Sequence, residues 1–289
     1  MKYQNEVIKC LYERASVRSF KDQKIDSETL ETILNAGCHA ATGGNLQPYS
    51  IIKIENEETK KELMNTNKFQ GLVGKAPLNL LFVIDFHRIE KWVTSNKGPF
   101  IANKSYRHFW IAFQDTIIAA QNICTAADSL GLGSVYIGTV ESCFDELKDI
   151  FKLPEKVFPV VLLSLGYPKT QPKVAPKLMS DIIVHNEYYH DLSKEVINKA
   201  MDKKYSERLS TNLREADLKE LFEVTKKVHG EDFANETINY SKELGYIHPA
   251  QRYFGLHYSA DSTAIDNNKF ISSLLKYDFP WISGKNFPE

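Results

Sequence analysis

A long apolar helix between two strand-like runs is the sequence feature that most limits the possible folds. Residues 106–130 carry apolar side chains at helical spacing and stop before Gly131, a residue favoured just beyond a helix end. Residues 78–86 and 158–165 are rich in strand-forming side chains and are predicted to be buried strands. Because helices and strands are mixed without regular strand–helix–strand alternation, the sequence predicts an α+β fold with a sheet wrapped by helices.

The predicted secondary structure changes near His190, which divides the chain into two predicted domains. In residues 1–190, Asp26 is a predicted cap for a helix that ends at Gly37, and residues 88–104 are predicted to be a loop with short helical pieces. Other predicted helices are residues 5–15, 57–64 and 144–151, with a strand at 49–54 and a strand or extended loop at 135–140. Residues 191–289 predict a mainly helical C-terminal extension.

Charge and cysteine content exclude several classes of protein. Lysine and arginine total 36 against 37 acidic residues, so the net charge of -1 argues against nucleic acid as the main partner. The polar N-terminus and the lack of a bilayer-length apolar run predict no signal segment and no membrane span. The four scattered cysteines indicate a reducing cytoplasm, and neither they nor His185 and His190 have the spacing of a metal site.

Two arginines near the N-terminus could bind an anion. Arg14 and Arg18 flank Ser16 and carry fixed positive charges with planar, forked donors suited to phosphate or to an electron-rich ring edge. A spacing of four residues is also that of a solvated helix face. The small and β-branched residues that follow Ala15 predict instead that the chain leaves the helix there, which would let both arginines converge on one ligand.

Two further segments carry polar or exposed backbone groups. Asn45 and Gln47 follow a glycine pair, where their amides could read the edge of a heteroaromatic ring or serve ordinary turn chemistry. Gly131, Gly133 and Gly138 do not have the dinucleotide-binding spacing, and they follow a helix where that motif follows a strand. A glycine-rich turn beside a strand can still expose N–H groups to a flat ligand.

Taken together, the ordered segments resemble the nitroreductase family of FMN-dependent enzymes. The matching pieces are Arg14-x-Ser16-x-Arg18-x-Phe20, residues 41–48, residues 115–138 from Asp115 to Gly138, and Leu165-Gly166-Tyr167-Pro168. The resemblance covers residues 1–190. It implies an α+β core with a mixed sheet, a homodimer, and FMN in a pocket between the subunits.

The resemblance also implies roles for individual residues. Arg14 would hold the FMN phosphate, with Lys177 or Lys173 as a further basic group. Ser16 and Arg18 would meet the pyrimidine edge and ribityl chain, and Asn45 and Gln47 would reach the flavin from the other subunit. Backbone around Ile137 and Gly138 would approach flavin N5. The family commonly has Ala-Pro-Ser where this chain has Ala41-Thr42-Gly43, so a serine contact to the flavin is expected to be missing.

The implied reaction is electron transfer from NAD(P)H to a nitroaromatic, a quinone or a similar conjugated acceptor by a ping-pong cycle. The flavin carries this chemistry, so no catalytic side chain is expected. Aromatic residues could line the acceptor slot or simply pack in the core: Trp92, Phe100, Tyr106, Phe109 and Trp110. Two alternatives stay open. One is a flavin enzyme of the same scaffold that performs reductive dehalogenation or flavin fragmentation, and the other is a flavin- or small-ligand-binding protein without turnover.

Overall fold

An antiparallel sheet of four strands forms the centre of the computed structural model, which describes residues 3–206, 213–265 and 267–284. In chain order the strands are β1 (Tyr49–Ile54), β2 (Leu78–Asp85), β3 (Gly133–Ile137) and β4 (Val157–Gly166), and their spatial order is β1-β2-β4-β3. Every residue of β2 is buried because helices cover both faces of the sheet. The described part of the chain thus has the α+β architecture that the sequence predicts.

The helices fall before, between and after these strands. Their bounds are α1 (Glu6–Glu13), α2 (Ser27–Cys38), α3 (Glu57–Asn65), α4 (Gly71–Lys75), α5 (Phe86–Ser95), α6 (Tyr106–Ser129), α7 (Phe144–Ile150), α8 (Ser180–Ile183), α9 (Lys194–Tyr205), α10 (Glu215–His229), α11 (Glu231–Leu244), α12 (Pro249–Gln251) and α13 (Asn267–Lys276). None of the helices in the described ranges is both long and apolar enough to cross a membrane.

Side-chain caps fix where the first helices begin. The Ile8 N–H donates to Asn5 Oδ1 at 3.0 Å, and the Thr29 N–H donates to Asp26 Oδ1 at 2.8 Å. Each carboxylate or amide oxygen satisfies a backbone donor that has no partner within its own helix. The predicted Asp26 cap is therefore confirmed.

The predicted helix stop at Gly37 is wrong. Helix α2 continues through Gly37 to Cys38, and a Cβ at position 37 would lie 2.5 Å from Ile123 Cγ1 on α6. The glycine is thus a close-packing site between two helices, a role that depends on a partner far away in sequence. By contrast, Gly131 follows the end of α6 and has a φ of +77°, as predicted for a helix stop.

The segment predicted to be a loop at residues 88–104 is more regular than expected. Helix α5 occupies Phe86–Ser95, and its first turn is capped by Asp85, whose Oδ1 accepts from the Arg88 N–H at 2.8 Å. An irregular stretch follows, with a short 3₁₀ turn at Ala102–Lys104. The sequence reasoning missed the cap because Asp85 also continues the pattern of the preceding strand.

The last described residues return to the core of the sheet. Tyr277 and Phe279 are completely buried, and the Tyr277 hydroxyl donates to the Phe144 carbonyl at 2.6 Å. The chain divides into two compact units, one holding residues up to 174 together with those from 269 onwards, and the other holding residues 175–268. These limits differ from the predicted boundary at 190, because the packing of residues 269–284 is set by contacts with α7 and α6 that composition does not reveal.

The second unit is helical in its described part. Helix α10 packs against α11, and Lys227 on α10 pairs with Asp261 at 2.7 Å. Close packing also occurs at Gly255, where an added Cβ would lie 2.3 Å from Leu221 Cδ1. The mainly helical character predicted for this region is confirmed for these residues.

Candidate functional site

The segment that carries the two arginines lies along the free edge of β3. Ser16 forms a parallel bridge with Ser134, and the Val17 N–H donates to the Ser134 carbonyl at 2.9 Å. This bridge adds a parallel pairing to the otherwise antiparallel sheet. Further along, the Lys21 N–H donates to the Tyr167 carbonyl at 2.8 Å. Three segments that the sequence analysis singled out are therefore brought together.

Gly133 permits this close approach. A Cβ at position 133 would lie 2.3 Å from Val17 Cγ2, a distance that no side chain could adopt. Val17 is buried, so it has little room to move aside. The glycine therefore sets how closely the arginine segment packs against β3.

Arg14 lines a cavity of about 610 Å³ between α1, the C-terminal end of α6 and the turn at residues 131–133. Its Nε and Nη2 atoms are buried and have no hydrogen-bond partner among the described residues. The only ion pair found for it in the described ranges is a long one, 3.9 Å from Nε to Asp128 Oδ2. Buried donors without partners are rare in proteins, so this guanidinium is suited to an anionic ligand.

Asp128 is a residue of this cavity that the sequence analysis missed. Burial raises its pKa to about 6, although the nearby Arg14 lowers it. Burial also raises the pKa of the neighbouring Tyr136, whose ring centroid lies 6.0 Å from Arg14 Cζ. The available signal for Asp128 was an acid directly after Ala126 and Ala127 in the last turn of α6.

Arg18 and Arg14 line different cavities of the chain. Arg18 is exposed and lines a second cavity of about 850 Å³, together with Lys60 and Lys169. Ser16, between the two arginines, is half-buried at the bridge to β3. Helix α1 ends at Glu13, two residues before the predicted exit at Ala15, and the two guanidinium groups occupy different surroundings.

The amide loop, defined as residues 42–49, connects α2 to β1. Asn45 and Gln47 have φ values of +56° and +48°, in the left-handed region that favours glycine. The Asn45 side chain is exposed, whereas Gln47 Nε2 donates to the Cys38 carbonyl at 2.8 Å. Asn45 thus presents its amide outward, and the Gln47 amide is partly engaged within the chain.

Gly138 offers open backbone at the end of β3. A Cβ at this position would meet no atom within 4 Å among the described residues, and the preceding Ile137 is buried. A planar ligand could therefore lie directly over the peptide between Ile137 and Gly138.

The two candidate basic residues lie in different units. Lys173 is exposed and belongs to the first unit, whereas Lys177 is exposed and belongs to the second. Their contribution to phosphate binding stays a prediction.

The five aromatic candidates have different surroundings. Phe109 is buried and its ring centroid lies 5.1 Å from that of Phe279, so it is part of the core. Phe100 is half-buried and packs at 6.2 Å against Phe86. The exposed candidates are Trp92, Tyr106 and Trp110.

Trp281 is an aromatic residue that the sequence analysis did not connect with this group. Its ring lies 5.0 Å from Tyr106 and 5.1 Å from Phe109, between centroids. Its Nε1 atom is buried without a hydrogen-bond partner in the described ranges. No sequence signal links it to Tyr106 and Phe109, because more than 170 positions separate it from both.

Among the described residues, no group of three or more His, Cys, Asp or Glu side chains could hold a metal ion. The His190 N–H instead donates to His185 Nδ1 at 3.2 Å. The available donors are of two kinds: charged N–H groups suited to a phosphate, and backbone or amide groups suited to a flat polar ring. They are the buried Arg14 N–H groups, the open backbone at Gly138 and the exposed amide of Asn45.

Comparisons with known proteins give matches to one enzyme family. The sequence model of the Nitroreductase family matches residues 11–167. The chain is 30% identical to FMN reductase (NADPH) of Bacillus subtilis over 64% of its own length and 75% of that protein. It is 31% identical to NADPH-flavin oxidoreductase of Vibrio harveyi over 71% of its length and 85% of the relative.

A solved structure of a hypothetical oxidoreductase from Bacillus subtilis has a similar fold. It matches with a TM-score of 0.73 and 26% identity, and the match covers 96% of this chain and 98% of the other. The similarity thus extends beyond residues 11–167.

Proposed function

We propose that this chain, which belongs to the nitroreductase family, passes electrons to a nitroaromatic, a quinone or a similar conjugated acceptor by a ping-pong mechanism. The chain is an NAD(P)H-dependent flavin oxidoreductase, and its cofactor is FMN. Bound FMN supplies the hydride chemistry, while the protein supplies position and charge.

The buried Arg14 guanidinium is the observation that carries the binding proposal. Its Nε and Nη2 atoms lack hydrogen-bond partners among the described residues, and it faces a cavity beside the glycine turn at residues 131–133. A phosphate group would satisfy these donors with short, charge-assisted hydrogen bonds. Lys173, which belongs to the same unit as Arg14, is proposed as a further cationic group for this phosphate.

The remaining positions would orient the flavin ring. The open peptide at Ile137 and Gly138 would lie against the ring near N5, and Arg18 would place its charge at the pyrimidine edge with Ser16 beside it. Asn45 and Gln47 would contact the polar atoms of the ring. In this arrangement Arg18 stabilises negative charge on the reduced ring, and no side chain acts as a nucleophile.

A homodimer is part of the proposal. Helix α1 has no buried residue, although it is strongly amphipathic, and its Val7, Leu11 and Tyr12 are all more than half exposed. Ile118 on α6 is also exposed. Apolar side chains in this number on two helices of the first unit suit contact with a second copy of the chain.

The exposed aromatic rings of the first unit would form the slot for both substrates. Trp92, Tyr106 and Trp110 offer flat apolar surface to a nicotinamide or to a conjugated acceptor. A single slot used in turn by both substrates is what a ping-pong cycle requires, since the first product must leave before the acceptor enters.

Spectroscopy and two-substrate kinetics test the proposal. The purified protein is expected to bind FMN and to show bleaching of the flavin absorbance on anaerobic addition of NADH or NADPH. With a nitroaromatic or a quinone as acceptor, double-reciprocal plots are expected to be parallel. Protein that takes up no FMN would overturn the cofactor assignment, and intersecting lines would contradict the ping-pong order.

A further inference from the structure

The amide loop holds a backbone shape that Gln47 disfavours. Asn45 and Gln47 both have positive φ without being glycine. Asparagine tolerates this region, whereas a residue such as Gln47 raises the energy there by about 1 kcal/mol or more. The two residues are also the proposed flavin contacts. A loop of this kind keeps its shape only if the surrounding structure holds it, so its outer contacts decide where the amides point.

Asp115 on α6 holds the first half of the loop. Both oxygens of its buried carboxylate accept from the Gly43 N–H, at 3.1 and 3.0 Å. A Cβ at position 43 would lie 2.8 Å from Ile111 Cγ2, so the glycine lets the loop approach the helix closely. Burial raises the pKa of Asp115, and the Gly43 N–H opposes this.

Arg88 on α5 holds the second half of the loop. Its Nη2 atom donates to the Gln47 carbonyl at 2.6 Å and to the Tyr49 carbonyl at 2.7 Å. The guanidinium forms an ion pair with Asp85, whose Oδ2 lies 3.6 Å from Arg88 Nε. The same Oδ2 accepts a hydrogen bond from Ser50 Oγ at 2.5 Å. The two carbonyls face one donor only when Gln47 keeps its present backbone conformation.

We propose that Asp115 and Arg88 are positioning residues that hold the amide loop in the shape required for flavin binding. The inference rests on the proposed function, because the loop matters only if Asn45 and Gln47 contact FMN. Neither side chain needs to touch the cofactor. Their effect is to order the loop before FMN binds, because a loop that must become ordered on binding lowers the affinity.

Substitutions that remove each contact test the proposal. Asp115→Ala leaves the Gly43 N–H without its acceptor, and Arg88→Met removes the nitrogen that donates to both carbonyls. Each is expected to weaken FMN binding about tenfold, measured by quenching of flavin fluorescence. Each is also expected to change the visible circular dichroism of the FMN that remains bound at saturation, because the ring would lose its fixed polar contacts.

Conservative and matched variants separate positioning from stability. Asp115→Asn keeps a carbonyl acceptor for Gly43, and Arg88→Lys keeps one donor, so both are expected to recover most of the affinity. Asp217→Ala removes another buried carboxylate, one that pairs with Arg214 at 2.8 Å. Lys156→Met breaks the pair with Glu90 on the same helix as Arg88, at 2.7 Å. Both controls are expected to leave the affinity and the spectrum of bound FMN unchanged.

The outcomes distinguish this inference from the proposed function. If the wild-type protein binds no FMN, the cofactor proposal fails. If it binds FMN, and folded Asp115→Ala and Arg88→Met bind it with wild-type affinity and spectrum, the positioning inference alone is overturned. Should either variant fail to fold, its conservative variant takes its place. A change in FMN affinity or in the spectrum of bound FMN that the matched control does not share would support the inference, and wild-type affinity and spectrum would overturn it.

Discussion

At the residue scale, the two arginines of the first motif differ in surroundings in a way that matches their proposed tasks. Arg14 has buried donors, which suits a fixed phosphate, whereas Arg18 is exposed. The motif itself was readable from the sequence. The difference in burial was not, because it depends on how α6 and the turn after it close over Arg14 and leave Arg18 outside.

Replacing Arg18 with alanine should weaken FMN binding by about tenfold and lower the reduction potential of the bound flavin. The reason is the loss of a positive charge that favours the reduced, negatively charged ring. Titration with FMN and anaerobic potentiometry measure the two effects. Lys75→Ala removes another exposed cation that lines the same cavity and is expected to change neither. An Arg18 variant with unchanged affinity and potential would show that this assignment is wrong.

Asp128 should make FMN binding depend on pH. Its pKa of about 6 lies above its ordinary value of 3.8, so the buried carboxyl is protonated below pH 6 and ionised above it. The ionised form competes with phosphate for Arg14. The ratio of wild-type to Asp128→Asn affinity is therefore expected to approach one at pH 5 and to fall by up to about tenfold at pH 8.

The titration of Asp128 also changes the stability of the folded protein, which is expected to fall as the pH rises. A folded-state pKa above the unfolded value stabilises the protein at low pH, and this contribution disappears as the pH rises from about 4 through about 6. Cys10 and Tyr136, which also face Asp128, stay neutral in this range because burial raises their pKa.

The control for the pH dependence of FMN binding is riboflavin, which lacks the phosphate. An affinity ratio independent of pH would contradict the placement of phosphate beside Asp128.

At the scale of elements, strand β3 has a packing end and an open end, which is the proposed binding end. Gly133 begins the strand against Val17, and Gly138 follows its last residue beside open space. The sequence predicted a strand or extended loop at residues 135–140, whereas β3 covers Gly133–Ile137 and a 3₁₀ turn begins at Gly138. The different roles of the two glycines were not predicted, because each depends on what lies opposite.

Alanine at these two glycines should have opposite effects on stability and binding. Gly133→Ala forces a Cβ into Val17 and is expected to lower the free energy of unfolding by about 1–3 kcal/mol or more. Gly138→Ala meets no atom of the described chain and is expected to leave stability unchanged while weakening FMN binding. Urea unfolding of the FMN-free proteins and FMN titration measure the pair. Equal destabilisation by both variants would contradict this division.

At the scale of the whole molecule, the C-terminal residues complete the core of the first unit. Phe279 is completely buried, with ring centroids 5.1 Å from Phe109 and 5.9 Å from Phe158. A change of composition near His190 suggested a single extension. The described structure instead returns residues 269–284 to the sheet, so the first unit is discontinuous in sequence.

Phe279→Ala should therefore destabilise the first unit strongly, by about 3–5 kcal/mol, because it leaves a cavity beneath α6. Phe254→Ala provides the matched control, since that side chain is 65% exposed and its removal is expected to change stability by less than about 0.5 kcal/mol. Chemical denaturation followed by tryptophan fluorescence measures both. A small effect at Phe279 would mean that the C-terminal segment does not contribute to the core.

The sequence by itself determined the α+β class, most helix and strand positions and the segments that carry the proposed flavin-binding residues. These follow from side-chain periodicity, helix caps and turn residues, which act over a few positions. Only the tertiary structure decided that Gly37 packs against Ile123, that Asp128 faces Arg14, and that Asp115 and Arg88 hold the amide loop. Those contacts join residues that lie between 41 and 114 positions apart. Their existence depends on which surfaces meet when the chain packs, and local patterns carry no record of that.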